Sequence, residues 1–451
     1  MTRSLLFKIG TLIFLTLVLM VPMLRIGELI RERQTARDEV VRDIARSAGY
    51  AQTITGPVLV VPYKRTVREW TDGRDGMKRE VTRIVSGERY LLPSALDFSG
   101  KLGTEERQRG IYHARIYNAD TVLNAVFAVP AGYGVTENLA DYVFDTPVVE
   151  LGISDIRGIG NALKLSINGT RLDFAPGTTT AVLGDGVHAK LSDFQTAPQP
   201  LTLSIALRLQ GTGSFQVTPV GRETRVSLSS DWPHPRFVGE FLPFQRSIDA
   251  KGFTAAWQTS FFSTNLESAL ARCASATADD APACVEFRGR HFGVSFVDPV
   301  DQYLKSDRAT KYAFLFVALT FAGFFLFEVL RRFSVHPVQY GLVGLALAMF
   351  FLLLLSLSEH LGFALAYLIS ASACVGLIGY YVCHVLGKWL HGAAFGGALG
   401  VLYTLLYGIL GSEDYALLMG SLLVFALLAL VMVLTRKVNW SRFGQAPEQS
   451  Q

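Results

Sequence analysis

The sequence predicts an α+β membrane protein: one N-terminal transmembrane anchor helix, a large β-rich domain outside the bilayer, and a C-terminal five-helix transmembrane bundle. Three observations lead there. Half of the 451 residues are apolar and mean hydropathy is +0.31, with the excess concentrated near the N-terminus and in the last third. The middle alternates apolar and polar residues with period two. Cations fall in every second break between the later hydrophobic segments. A net charge of +4 is small for this length, and no basic cluster is interleaved with aromatics, so nucleic acid is not expected as a partner.

Residues 5–24 form the first span. Lys8 stands near its start and residues 9–24 carry no charge, a little short of the roughly 20 residues a bilayer needs. A Lys8 side chain that snorkels to the headgroups would extend it. The stretch ends Pro22-Met23-Leu24-Arg25-Ile26-Gly27, with no small-x-small cleavage pattern. It therefore reads as a retained anchor and not as a cleaved signal peptide. Residues 28–48 then alternate in charge sign, with Asp38 four positions before Arg42, as in a solvated helix continuing from the anchor. A connecting stalk is the plain reading of it, and a partner-binding helix the bolder one.

After Gly56-Pro57 the periodicity changes. Leu201-Thr-Leu-Ser-Ile-Ala-Leu-Arg-Leu209 alternates strictly, as does the shorter Val226-Ser-Leu-Ser229. Val58-Leu-Val-Val61, Val148-Val-Glu-Leu151 and Leu163-Lys-Leu-Ser-Ile167 are further strand candidates, and Asn168-Gly169 and Gly184-Asp185-Gly186 are turns. A largely antiparallel domain is expected, built as two packed sheets. Cys273 and Cys284 flank a small polar loop, where a disulfide would serve as a staple in an oxidising compartment.

The five later spans are residues 312–330, 338–357, 361–382, 393–410 and 415–435. Arg331 and Arg332, Lys388, and Arg436 and Lys437 mark one side of them. The opposite breaks hold Glu359-His360 and Glu413-Asp414. Cations mark the cytoplasmic face, so both termini are expected there and residues 27–311 form a periplasmic domain. The domain division is then anchor 1–26, β-rich domain 27–311, bundle 312–435 and tail 436–451. The charges at Arg25, Arg31, Arg33, Arg37, Arg42 and Arg46 oppose this orientation, but acidic residues interleave them and long domains translocate largely regardless of charge.

No enzyme motif survives. Gly158-Ile-Gly160 begins like a dinucleotide fingerprint, but Leu163 takes the third glycine position and a strand follows. Metal and cofactor sites are not expected. Cys374 and Cys383, nine positions apart, would point to opposite faces of one helix. Asp231-Trp232-Pro233-His234-Pro235 is the most unusual local run. Its prolines make Trp232 and His234 a candidate binding surface, against the plainer alternative of a rigid corner that buries Trp232. Glu328 lies near Arg331 and Arg332, where a paired carboxylate needs no special role. Glu359 and His360 fall in a tight turn between spans, where a polar cap on two helix ends is the plain reading and a site facing the periplasmic domain the bolder one. With Asp307, Arg308 and Lys311 they are candidates for coupling the domain to the bundle. Gly392, Gly396 and Gly400 form two overlapping G-x-x-x-G steps suited to close helix packing, within the bundle rather than between copies.

Several of these runs resemble the CreD family of inner-membrane proteins. They are Ser154-Asp-Ile-Arg-Gly-Ile-Gly160, Asp231-Trp-Pro-His-Pro235 with Phe241-Leu-Pro243, Asp307-Arg-Ala-Thr-Lys-Tyr-Ala313, His336-Pro-Val-Gln-Tyr340 and Leu357-Ser-Glu-His360. The resemblance implies the same anchor, periplasmic domain and bundle, and a link to envelope integrity under two-component stress regulation. It supplies no reaction, substrate or cofactor for any numbered residue, and the two cysteines of the soluble part are outside its motifs. The expected function is accordingly non-enzymatic: envelope support through a periplasmic protein or envelope lipid partner, with the bundle seated in the lipid bilayer. A transporter or flippase of a neutral or lipid-like substrate is the alternative, and a membrane enzyme using His234 or Glu359-His360 comes third. Oligomeric state is not legible.

Overall fold

The computed structural model describes residues 2–72, 78–160, 163–192, 199–275, 281–296, 302–331, 335–386, 389–411 and 416–436. The chain divides into two compact units: Met1–Glu39 with Val300–Gln451, and Val40–Pro299. The first is helical and the second β-rich.

Among the described residues, seventeen strands build the β-rich unit. In chain order they are β1 (Gln52–Asp72), β2 (Lys78–Leu91), β3 (Ala95–Arg109), β4 (Tyr112–Val129), β5 (Tyr142–Phe144) and β6 (Val148–Ile153). Next come β7 (Lys164–Ile167), β8 (Thr170–Leu172), β9 (Ala175–Pro176), β10 (Gly186–Lys190), β11 (Gln199–Thr212) and β12 (Ser214–Thr218). The last are β13 (Glu223–Ser230), β14 (Pro235–Gly239), β15 (Gln245–Asp249), β16 (Gly252–Ser260) and β17 (Phe292–Phe296). One sheet runs β14-β17-β12-β1-β6-β10-β9, with β2 and β5 also on β1; the other runs β15-β16-β13-β3-β4-β11-β7-β8. Pairing is antiparallel except at β1–β12 and β3–β13.

The alternation read from the sequence is the inward face of β11: Leu201, Leu203, Ile205, Leu207 and Leu209 are all buried. They meet Val58, Phe98, Leu123, Phe127 and Phe215 in a single apolar cluster drawn from both sheets. Each such side chain contributes roughly 1.5–3 kcal/mol by leaving water. Asn168 and Gly169 both take positive φ and close the β7–β8 hairpin, the conformation an Asn-Gly turn favours. Gly56-Pro57 lies inside β1, where register against β6 shifts between Thr55 and Val58. Strand pairing therefore begins ahead of that dipeptide, and a bulge accommodates the proline.

Helix α1 covers Thr2–Ala48, so anchor and charged stalk are one helix. In the β-rich unit follow the short α2 (Phe261–Thr264), α3 (Leu266–Ser275) and α4 (Ala281–Gly289). The helical unit continues with α5 (Gln302–Arg331), α6 (Pro337–Leu361), α7 (Phe363–Leu386), α8 (Trp389–Gly411) and α9 (Ala416–Thr435). Among the described residues five helices, α1 and α5 to α8, are long and apolar enough to cross a membrane, and α9 adds 20 uncharged residues. Helix α5 starts ten residues ahead of the span expected from hydropathy, which places Asp307, Arg308 and Lys311 within it. Leu342, Leu345, Leu368 and Phe425 are exposed, as lipid-facing side chains are. Arg332, Lys388, Glu413, Asp414 and Lys437, used above to orient the spans, lie outside the described residues.

Candidate functional site

Two polar clusters tie α1 to α5 and α6 in the helical unit. At one end Glu328 of α5 is buried and pairs with Lys8 of α1. It also accepts the Tyr340 hydroxyl at 3.0 Å and the Val335 N–H at 3.2 Å. His336 caps α6 with Gln339 in a reciprocal pair, and Pro337 occupies the first turn, which aims Tyr340 at the carboxylate. Lys8 therefore answers a carboxylate instead of only snorkelling. The side chains of Arg331 and Arg332, the partners expected for Glu328, are outside the described residues.

At the other end Glu359 of α6 accepts the Tyr303 hydroxyl of α5 at 3.2 Å and lies 3.8 Å from the Arg33 guanidinium of α1. Arg37 stands 5.7 Å from the Tyr303 ring. Each cluster thus joins a carboxylate and a tyrosine from α5 and α6 to α1, through Lys8 at one end and Arg33 and Arg37 at the other, with carboxylate and tyrosine exchanging helices. Lys8 and Arg33 are separated by roughly 37 Å of helix at 1.5 Å per residue, the hydrocarbon core plus part of both headgroup layers.

The structure corrects the expectation of a turn at Glu359-His360. Both residues lie in the last turn of α6, and Gly362, with φ of 75°, alone separates α6 from α7. His360 is exposed. Asp307 and Lys311 pair with each other at 2.7 Å along α5, not with Glu359. Of the glycine row, Gly396 faces Gly379 of α7, and a Cβ on Gly392 would fall 2.6 Å from the Cys383 backbone nitrogen. A Cβ on Gly400 would meet nothing within 4 Å, so α7 and α8 approach at two of the three positions. Cys374 is buried, and its Sγ lies 3.2 Å from the Tyr403 hydroxyl.

In the β-rich unit, Ser154-Asp-Ile-Arg-Gly-Ile-Gly160 forms a socket for the end of α1. Asp155 accepts the Tyr50 N–H at 3.0 Å and both Nε and Nη2 of Arg157 at 2.9 Å. Arg157 stands 5.1 Å from the Tyr50 ring and donates to the Arg46 carbonyl. Arg157 above all, then the backbone N–H groups, holds the Asp155 carboxyl below the usual carboxylate range against the opposing effect of burial. A Cβ on Gly49, whose φ is 93°, would lie 2.7 Å from the Gln210 carbonyl. Only glycine fits that approach.

Trp232 is a buried corner. Its indole N–H donates to the His234 carbonyl at 2.9 Å, and the Arg115 guanidinium covers the ring at 3.8 Å. Asp231 accepts the Thr104 N–H and hydroxyl at 2.9 and 3.0 Å. His234 is exposed and meets the Trp232 ring edge-on at 5.5 Å. The geometry therefore uses Trp232 for packing and leaves only the His234 ring accessible.

A cavity of about 340 Å³ adjoins this corner at Ser230 and Asp231, and larger recesses of the unit lie elsewhere. Two adjoining cavities of about 720 and 500 Å³ share Glu88, Tyr90 and Ala274. Tyr63, Lys64 and Phe144 line the larger; Arg89, Arg222 and Leu270 line the smaller. Tyr90 donates to Glu88, and burial first, then Glu88, pushes its phenol well above the usual range. Helix α3 forms one wall. Its Cys273 is joined to Cys284 of α4 by a disulfide, and Glu286 forks onto Arg272 at 2.7 Å and Arg290 at 2.8 Å. Arg288 donates to the carbonyls of Val182 and Ala181. The same loop supplies the Thr179 N–H at 2.6 Å and the Thr180 hydroxyl at 3.0 Å to the fully buried Glu150 of β6. Hydropathy marked Glu150 only as part of a strand, and nothing local marked Tyr90. Their partners lie far off in sequence.

A unit of apolar membrane-length helices and a two-sheet unit in one chain define a multi-pass integral membrane protein with a large β-rich part. The family described as "Inner membrane protein CreD" matches residues 4–441. A curated relative, inner membrane protein CreD of Escherichia coli (strain K12), is 38% identical over 448 residues, covering 98% of this chain and 96% of the relative. The chain belongs to the CreD family of inner membrane proteins. Among solved structures, native leukotriene A4 hydrolase from Saccharomyces cerevisiae matches 37% of the chain and 26% of that protein, at 11% identity and a TM-score of 0.20. A putative nutrient binding protein from Legionella pneumophila matches 38% of the chain and 65% of that protein, at 8% identity and a TM-score of 0.19. Neither likeness carries an argument about this fold.

Proposed function

We propose that this chain is a non-enzymatic inner-membrane protein that supports the cell envelope by binding a periplasmic protein segment or envelope ligand in the Tyr90 cleft. The termini are cytoplasmic and the β-rich unit is periplasmic. The observation that carries the reading is the paired cleft itself. Its size is that of a ligand site, it mixes aromatic and charged walls, and α3 is pinned beside it by a disulfide suited to an oxidising compartment. Asp307, Arg308 and Lys311, on the early turns of α5, are proposed to couple the two units at headgroup level. Charge reversal at Arg308 that left assembly and envelope phenotype intact would remove that role.

The test is in-cell photo-crosslinking from Leu92 and Ala274, with His234 as the comparison position. Both cleft positions are expected to give the same adduct, lost in Tyr90→Ala, while position 234 stays blank. Capture at 234 alone, from a chain expressed at normal level, would move the binding surface away from the cleft.

A further inference from the structure

We propose that the slot between α1 and α5 holds one membrane phospholipid, its phosphate at Arg31 and one acyl chain running down the slot. The two helices leave a cavity of about 330 Å³, lined from Thr16 to Arg31 on α1 and from Asp307 to Val317 on α5. A second cavity of about 430 Å³ shares Thr16 and Phe314 with it and continues to Leu12 and Phe325. The floor of the first is apolar, with Leu19, Met20, Met23, Phe314 and Val317. Its mouth is charged, with Glu28, Arg31, Asp307 and Lys311.

Three observations choose the occupant. The first is length: Thr16 to Arg31 spans roughly 22 Å of helix, which is half the hydrocarbon core plus a headgroup. The second is volume. A second helix of that length, about 10 Å across, would occupy roughly 1,700 Å³, far more than either cavity offers. A single chain about 4 Å across, set by carbon–carbon contact distance, needs roughly 280 Å³. The third is charge. Glu28 pairs with Arg25 at 2.9 Å and Asp307 with Lys311 at 2.7 Å. Arg31 has no carboxylate partner among the described residues, so the mouth presents a free guanidinium, the group best shaped for phosphate. Beside it, a Cβ on Gly27 would meet nothing within 4 Å. Methionines 20 and 23 give a floor that adapts to a chain.

The test uses the full chain in phosphatidylcholine vesicles doped with a phosphatidylglycerol probe that carries a photoreactive group on one acyl chain. Adducts are expected on peptides covering residues 16–31 and 307–317. Gly27→Leu, at a position where an added Cβ meets nothing within 4 Å, should cut them by at least about fivefold, a loss of around 1 kcal/mol of affinity. Arg31→Gln should cut labelling by phosphatidylglycerol but not by a diacylglycerol probe lacking phosphate. Leu368→Trp, on the exposed face of α7, should change nothing and controls for folding. Labelling unchanged in Gly27→Leu would overturn the site. Equal labelling by both probes in the unsubstituted chain would overturn the phosphate contact. A crosslink between two chains through position 27 would replace the lipid with a second copy.

Discussion

Glu150 of the β-rich unit and Glu328 of the helical unit, both buried, are held in different ways, while the buried Asp155 of the β-rich unit is paired with Arg157. In the β-rich unit Glu150 is fully buried and receives hydroxyl and N–H donors from Thr179 and Thr180. In the helical unit Glu328 and Glu359 each meet a cation from α1 and a tyrosine. Water explains the difference. Folding of the β-rich unit is driven by taking apolar surface out of water, so polar groups inside need only be satisfied. Lipid is already apolar and gives helices little reason to associate beyond packing and polar contacts. Polar clusters at Lys8 and Arg33 of α1 therefore stand where the apolar core stands in the other unit.

If so, apolar substitutions should dominate in one unit and polar ones in the other. The largest expected effect is Trp257→Ala. This side chain is 1% exposed, stacks on Phe292 at 5.5 Å and donates to the Phe241 carbonyl, so thermal unfolding of the β-rich unit should lose roughly 3–5 kcal/mol. Lys8→Ala comes next, since it strands Glu328. A loss of about 3 kcal/mol is expected, with much of it recovered in Lys8→Ala combined with Glu328→Gln. A loss under about 0.5 kcal/mol would place Lys8 with ordinary surface charges and break the comparison. Replacing both Cys273 and Cys284 by serine should cost roughly 2–3 kcal/mol, from loop-closure entropy, and should loosen α3 at the cleft.

Asp155, the cation-paired exception in the β-rich unit, is tested through pH. Its folded pKa is lowered, chiefly by Arg157, so its contribution is present above the unfolded value of about 4 and is lost as pH falls through the lower folded value. Denaturant unfolding of the full chain followed across that acid window should steepen, and Asp155→Asn should flatten it. The smallest effect is expected from His234→Ala. The ring is exposed, and a change within about 0.5 kcal/mol follows for such a surface site.

Whatever rests on local pattern was legible in the sequence. The charge-free run after Lys8, the alternation from Leu201 to Leu209 and the Asn168-Gly169 turn each report their own structure through hydropathy, period or backbone preference. Glu359 was misplaced because a glutamate between two apolar runs looks like a break, while α6 carries its helix through Leu361 and relieves the charge with Arg33 and Tyr303. Lys8 meeting Glu328, and Tyr90 lining one cleft with α3, join distant segments. Periodicity carries no information about such meetings. The motifs that suggested the family fall largely at joints: the Asp155 socket, the Trp232 corner, the His336 cap and Glu359.

The most direct test of two units in two solvents is accessibility to a membrane-impermeant thiol reagent, in a background with Cys374 and Cys383 replaced by serine. Val143→Cys, at an exposed site of the β-rich unit, and Arg436→Cys, at an exposed site after α9, provide the two reporters. Labelling of position 143 in intact spheroplasts, with position 436 labelled only after lysis, is the expected result. Labelling of 436 in intact spheroplasts, with 143 protected until lysis, would contradict a periplasmic β-rich unit and the binding role assigned to its cleft.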